Sequence, residues 1–154
     1  MLFGLRRASG ATFVHPLDPA PRTAVLAAGF QPSRSIRIFP KGWDKSAEKF
    51  APAVIAGTFD RLIALAGRVQ ITHAVICLAF DPRELLSDAA RHKLWVEFGV
   101  PVYEQLLGPG NELIAYECDA HRGLHLAGAP DDGRDVCPCG SGVPMFGRVK
   151  AAAA

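Results

Sequence analysis

The stretch that decides the fold runs from Ile71 to Gln105: ITHAVICLAF over residues 71–80, DPRELLSDAARHKLWVEFG over residues 81–99 and VPVYEQ over residues 100–105. The first block is almost unbroken apolar sequence with β-branched residues. That is the signature of a strand covered on both faces, as in a parallel sheet. Asp81-Pro82 breaks it. Ser87 is a natural N-cap for a helix whose apolar side is Leu94, Trp95 and Phe98, and Gly99 is placed to end that helix. Val100–Gln105 is a second strand, with Pro101 tolerated near its start. Strand, helix and strand form a βαβ unit, whose crossover is right-handed. The expected class is therefore α/β: a small, mainly parallel sheet with flanking helices.

Toward the N-terminus, Phe50, Val54, Ile55, Phe59, Leu62, Ile63 and Ala66 recur at a spacing of three and four. This spacing predicts a helix over Ser46–Arg68, capped by Asp44 or Ser46, with Pro52 in its first turn and Gly67 at its end. Residues 1–45 form a basic, proline-rich lead segment with two short strands, Thr23–Ala28 and Ser35–Phe39. Residues 1–50 hold eight Lys/Arg against three Asp/Glu, and the rest hold nine against twelve. The segment reads as a solvated, partly wrapped arm, or as a docking arm for an acidic partner such as nucleic acid. Residues 46–154 make the α/β domain proper. Toward the C-terminus, Glu112–Cys118 and Gly123–Ala127 are expected to pair as a hairpin around Asp119–Arg122, followed by a polar loop at Pro130–Val136.

The 154 residues are 49% apolar and 21% charged, which reads as globular, and a net charge of +2 does not announce a nucleic-acid binder. No apolar run reaches the ~18–20 residues of a membrane-spanning helix. Met1–Arg7 places apolar residues before a basic pair, the reverse of a signal peptide. With four Cys and no small secreted scaffold, a reducing cytoplasm is the expected compartment. His73 and Cys77 fall in the apolar strand, His73 reading as a core or edge histidine and Cys77 as an inert core thiol.

The chemistry gathers in Cys118, His121, His125, Cys137 and Cys139, five soft or borderline ligands within 22 residues. Zinc favours four such ligands in a tetrahedron, and a site closed by protein ligands is structural. Cys137-Pro138-Cys139-Gly140 bends the chain so that two thiolates converge, and the hairpin brings Cys118 and a histidine from across it. Only one histidine is needed. His121 follows Cys118 at the local knuckle spacing, and His125 sits inside the next strand. The expected zinc knuckle spans residues 117–142. A catalytic zinc would need a water position and a base, for which Glu117 is the candidate.

Two resemblances bear on this. Phe98-Gly99-Val100-Pro101-Val102-Tyr103, followed by Glu117-Cys118-Asp119-Ala120-His121-Arg122-Gly123-Leu124-His125, resembles the middle of the phenylacetate–CoA ligase family of adenylate-forming enzymes. The resemblance runs from Thr72 to Leu126. In metal-binding members a later Cys-x-Cys-Gly completes a zinc site, and Cys137-Pro138-Cys139-Gly140 looks like it. The resemblance implies Cys118, His125, Cys137 and Cys139 as ligands, with His121 set aside. The family's Ser/Thr/Gly-rich phosphate loop, its Gly-Leu-Thr/Ser-Glu motif, its Tyr-x-Thr-Gly-Asp ribose segment and its lid are not found here. The implied inheritance is scaffold and zinc site without adenylation. Gly133–Gly142 also resembles the start of the zinc motif at the tail of the bacterial preprotein translocase motor, but the second ligand pair of that motif is replaced by Gly147-Arg148-Val149-Lys150.

The function expected from these readings is a non-catalytic, zinc-stabilised module acting through a protein partner or self-association. The alternatives are an enzyme or sensor binding an aryl acid or acyl-CoA near Tyr103 and Glu104, and a nucleic-acid-binding zinc protein.

Overall fold

A computed structural model describes residues 10–133 and 137–146. Its strands are β1 (Thr23–Val25), β2 (Ile36–Ile38), β3 (Val54–Gly57), β4 (Ala74–Ala79), β5 (Val102–Leu107), β6 (Leu113–Glu117), β7 (Leu124–Leu126) and β8 (Met145–Phe146). Its helices are α1 (Lys45–Phe50), α2 (Phe59–Ile63) and α3 (Asp88–Phe98). All eight strands form one sheet in the order β2-β1-β3-β4-β5-β6-β7-β8. The five strands from β2 to β5 are parallel, and β5 through β8 are antiparallel.

Chirality explains which face the helices take. Along the sheet, the steps from β2 to β3, β3 to β4 and β4 to β5 all run in one direction, so right-handed crossovers put α1, α2 and α3 on the same face. The step from β1 to β2 runs the other way and belongs on the opposite face. The packing agrees. Ala47 and Phe50 of α1, Leu62 of α2 and Leu94 of α3 share one cluster with Ala24, Ile55, Val75, Cys77 and Val102 of the sheet. The other face carries Val25, Val54, Ala56, Ile76, Leu78 and Tyr103, covered by Phe13 and by Phe30 of the β1–β2 connection. Every residue of β4 and β5 is buried, which is why ITHAVICLAF carries no alternation.

The lead segment is built into this sheet: β1 lies between β2 and β3, and Phe13 and Leu17 pack on the face away from the helices. The expected strands there are present but shorter, at Thr23–Val25 and Ile36–Ile38. The βαβ unit at 71–107 stands as read. Ser87 Oγ accepts from the Ala90 N–H at 3.1 Å, and Gly99 ends α3 in the left-handed region at φ 67°. Trp95 departs from the expectation: it is 55% exposed while Leu94 is buried.

The continuous helix expected over Ser46–Arg68 is absent. Asp44 does cap α1, accepting from the Ala47 N–H at 2.9 Å. The helix then ends at Ala51, whose φ of 51° is left-handed. Pro52 follows, and it disfavours helical backbone at the residue before it. Val54-Ile55-Ala56-Gly57 becomes a fully buried strand between β1 and β4. The spacing that suggested one helical face is that of two short helices and a four-residue strand whose side chains divide between the two cores, Phe50, Ile55 and Leu62 on one face and Val54 on the other.

The expected hairpin is present as β6 and β7, paired antiparallel with Tyr116 opposite His125. No helix among the described residues is long and apolar enough to cross a membrane. The N-terminal reading of Met1–Arg7, residues 134–136 of the polar loop, and the Gly147–Lys150 position lie outside the described residues.

Candidate metal centre

Three local features bring the ligands together. Cys118 immediately follows β6, and a turn through Ala120–Gly123 returns the chain to β7, with His125 at its centre. The His121 backbone N–H closes this turn on the Cys118 carbonyl at 3.0 Å. The Cys137–Gly140 turn is closed by the Gly140 N–H on the Cys137 carbonyl, also 3.0 Å, with Gly140 at φ 82°. Asp131 ties the base of the following loop, accepting from the Gly133 and Gly142 N–H groups at 3.0 Å each. The β7–β8 pairing and the Leu126 N–H to Pro144 carbonyl bond set this knuckle beside the hairpin.

The ligand atoms of Cys118, His125, Cys137 and Cys139 all lie within 4.8 Å of one another. His125 Nε2 is 3.4 Å from Cys118 Sγ and 3.6 Å from Cys139 Sγ, and Cys118 Sγ is 3.6 Å from Cys137 Sγ. Zn–S bonds of ~2.3 Å and Zn–N bonds of ~2.0 Å in a tetrahedron give S···S edges of about 3.8 Å and S···N edges of about 3.5 Å. The cluster has the dimensions of a coordination shell. All four cysteines are free thiols rather than disulfides.

The surroundings suit the chemistry. His125 is fully buried, and its Nδ1 lies 3.2 Å from the Val143 carbonyl. An Nδ1–H donated there leaves the Nε2 lone pair facing the sulfurs, the usual way an outer partner fixes a metal-binding histidine. The Ser141 N–H reaches Cys139 Sγ at 3.4 Å. Burial pushes the Cys137 thiol up, but the Cys139 backbone N–H and the Cys139, Cys118 and His125 side chains outweigh it and hold it at about 7. Cys118 is pushed up to about 12, chiefly by burial. One thiolate is thus readily supported by protein donors alone, and a cation is what would let its neighbours ionise beside it.

His121 is placed elsewhere. Its Nδ1 is bonded to the Glu117 carboxylate, and its ring lies 4.8 Å from that of Tyr103. Glu117 also takes a two-pronged bond from Arg91, Nη2 at 2.6 Å and Nη1 at 3.1 Å. Both carboxylate oxygens are committed, and the side chain is only 2% exposed, so Glu117 is an internal tie rather than a free base. The same Arg91 reaches Glu104 at 3.5 Å and the Val102 carbonyl at 3.2 Å. Glu104 is buried and accepts the Leu86 N–H at 2.5 Å, and burial raises its pKa. Tyr103 donates its hydroxyl to Asp119 and is buried. Sequence reasoning did not single out Arg91 and missed this tie. The signal was present: Glu104 and Glu117 both lie in strands beside apolar residues, and two buried carboxylates require a cation.

His73 precedes β4 and is exposed, with Nδ1 2.8 Å from Thr72 Oγ1, so it is not a core residue. Cys77 is buried in β4 and burial pushes its thiol up to about 12, which makes it inert. No protein-family model and no curated protein matches this chain.

Proposed function

We propose that this protein is a zinc-stabilised, non-catalytic module that acts through a protein partner or by self-association in the cytoplasm. The observation that carries the reading is the Cys118, His125, Cys137, Cys139 cluster, whose atoms share one 4.8 Å neighbourhood. Three thiolates and one imidazole favour zinc over harder cations. Four protein donors leave no position for water or substrate, which is the arrangement of a structural site. The proposal includes descent from an acyl-CoA ligase scaffold, supported by the Phe98–Tyr103 and Glu117–His125 motifs.

The engagement of Tyr103 with Asp119, and of Glu104 with Leu86 and Arg91, counts against an aryl-acid or acyl-CoA pocket at those residues. A nucleic-acid-binding reading would rest on the knuckle and the basic residues 1–50, and a net charge of +2 adds nothing to it.

Elemental analysis of the untagged protein beside Cys137→Ser tests the proposal. One zinc per chain in the wild type, lost together with folding of the C-terminal hairpin in the variant, is the expected result. A folded wild type without zinc would sink it. Turnover of an aryl acid with ATP and CoA would sink the non-catalytic part.

A further inference from the structure

The four ligands are not equally shielded. His125 is fully buried and Cys137 is 5% exposed, whereas Cys118 is half-buried and Cys139 is exposed. Beside the hairpin lies a cleft of about 600 Å³ whose walls include Cys118, Cys139, Val14, Gln105 and Asp119. Cys137 and His125 do not line it. The centre is therefore open on one side, and the two sulfurs on that side come from different segments of the hairpin and knuckle.

We propose that Cys139 is an oxidation site that opens the metal centre to peroxides. The inference rests on the zinc reading above and goes beyond it by naming the reagent class and the order of events. A metal-bound thiolate is held in its nucleophilic, deprotonated form, and access then decides which one reacts. In the first step the Cys139 thiolate attacks one oxygen of the peroxide. An S–O bond forms, the O–O bond breaks, hydroxide leaves, and the sulfur becomes a sulfenic acid. In the second step the Cys118 thiolate attacks that sulfur and expels a second hydroxide. The pair of sulfurs has given two electrons to the peroxide, and the buffer protonates the two hydroxides to water. Cys118 is the resolving thiol because it lies on the other segment, with its sulfur within 4.8 Å of that of Cys139. Cys137 is only one residue from Cys139, and the dihedral a disulfide requires is hard to reach across so short a link. Zinc is left with Cys137 and His125 alone and departs.

The test uses the full chain loaded with zinc and assayed for metal before oxidant is added. Hydrogen peroxide is applied in the presence of a chromogenic zinc indicator. The reaction is then quenched by alkylation and the tryptic peptides are sequenced by mass spectrometry. The expected result is one zinc released per chain, with a Cys118–Cys139 disulfide joining the peptide that ends at Arg122 to the one that begins after Arg134. Cys77 stays reduced, and dithiothreitol restores zinc binding. In parallel, N-ethylmaleimide on the loaded protein should label Cys139 about tenfold or more before Cys137, as their exposures require. Zinc retained under peroxide, a different disulfide, or Cys137 labelled first overturns the proposal while leaving the zinc reading intact. A chain that takes up no zinc overturns both.

Discussion

At the scale of single residues, the two histidines make the sharpest contrast. His125 is buried with Nε2 among the sulfurs, and His121 is bonded to Glu117 and lies against Tyr103. His125→Ala should therefore abolish stoichiometric zinc binding, while His121→Ala should retain one zinc per chain, as read by elemental analysis. Equal loss in both would show that the ring of His121 exchanges into the centre. Arg91 offers a second test. It is the cation facing Glu104 and Glu117 from α3, with the Leu86 N–H the other donor to Glu104 and His121 the other partner of Glu117. Arg91→Met leaves two buried carboxylates short of their counter-charge, a change expected to cost about 3–5 kcal/mol. The sign of its pH dependence follows. Glu104 already has a pKa raised by burial, and removing Arg91 raises it further. A carboxyl whose folded pKa lies above the unfolded one loses stability as pH rises through the folded value. The deficit of Arg91→Met, read by urea denaturation, should therefore shrink from pH 7 toward pH 5.5, and adding Glu104→Gln should recover part of it at pH 7. A deficit that grows on acidification would contradict the assignment.

At the scale of elements, legibility followed length and burial. The strand at 74–79 was readable because burial on both faces turns it into an apolar run too long and too β-branched to mistake. The helix at 88–98 announced itself by its caps, Ser87 and Gly99. The segment at 45–63 was misread because a four-residue strand has no room to display a period of two. Phe50, Ile55, Leu62 and Ile63 of one core and Val54 of the other then satisfy helical spacing by coincidence. The contrary signals were local: Pro52, the Val54-Ile55 pair and Gly57-Thr58. Ala51 makes this testable, since its left-handed φ of 51° places Cβ against the carbonyl that follows. Ala51→Gly relieves that strain at some loss of chain entropy, for a net gain of about 0.5–1 kcal/mol. Inside a continuous helix the same change would lose about 1 kcal/mol. The sign of the shift in denaturation midpoint decides between the two backbones. The Cys118, His125, Cys137, Cys139 cluster was legible for a different reason. Thiols and imidazoles near one another in sequence need only a hairpin and a tight turn to meet, whereas the Arg91 tie depends on α3 crossing two strands and could not be read from spacing.

At the scale of the whole molecule, the two halves of the sheet are held by different forces. The parallel half has a continuous core on each face, with 14 buried residues in one cluster and 12 in the other. Among the described residues, the apolar cluster at the antiparallel end is Ala79, Leu106, Ala115 and Leu124, with Leu85 packed beside them. Two buried leucines contribute roughly 1.5–3 kcal/mol each. That is too little to hold a three-residue β7 and a two-residue β8 against the entropy of ordering the loop between them, at ~1–2 kcal/mol per residue. On the zinc reading proposed above, the metal would add an apparent ~10–16 kcal/mol at neutral pH and tip the balance. Removing the metal should then melt one end of the molecule and spare the other. With a chelator at pH 7, hydrogen exchange should become fast over residues 118–126 and 137–146 while β3, β4 and β5 keep their protection. Uniform loss of protection would mean that the centre governs the whole fold, and no loss would mean that it holds no metal that matters to stability. The Arg91 tie sets the boundary of the melt. It joins α3 to Glu117, the last residue of β6, so protection should fail from Cys118 onward before it fails in β6, and Arg91→Met should move that boundary back toward β5.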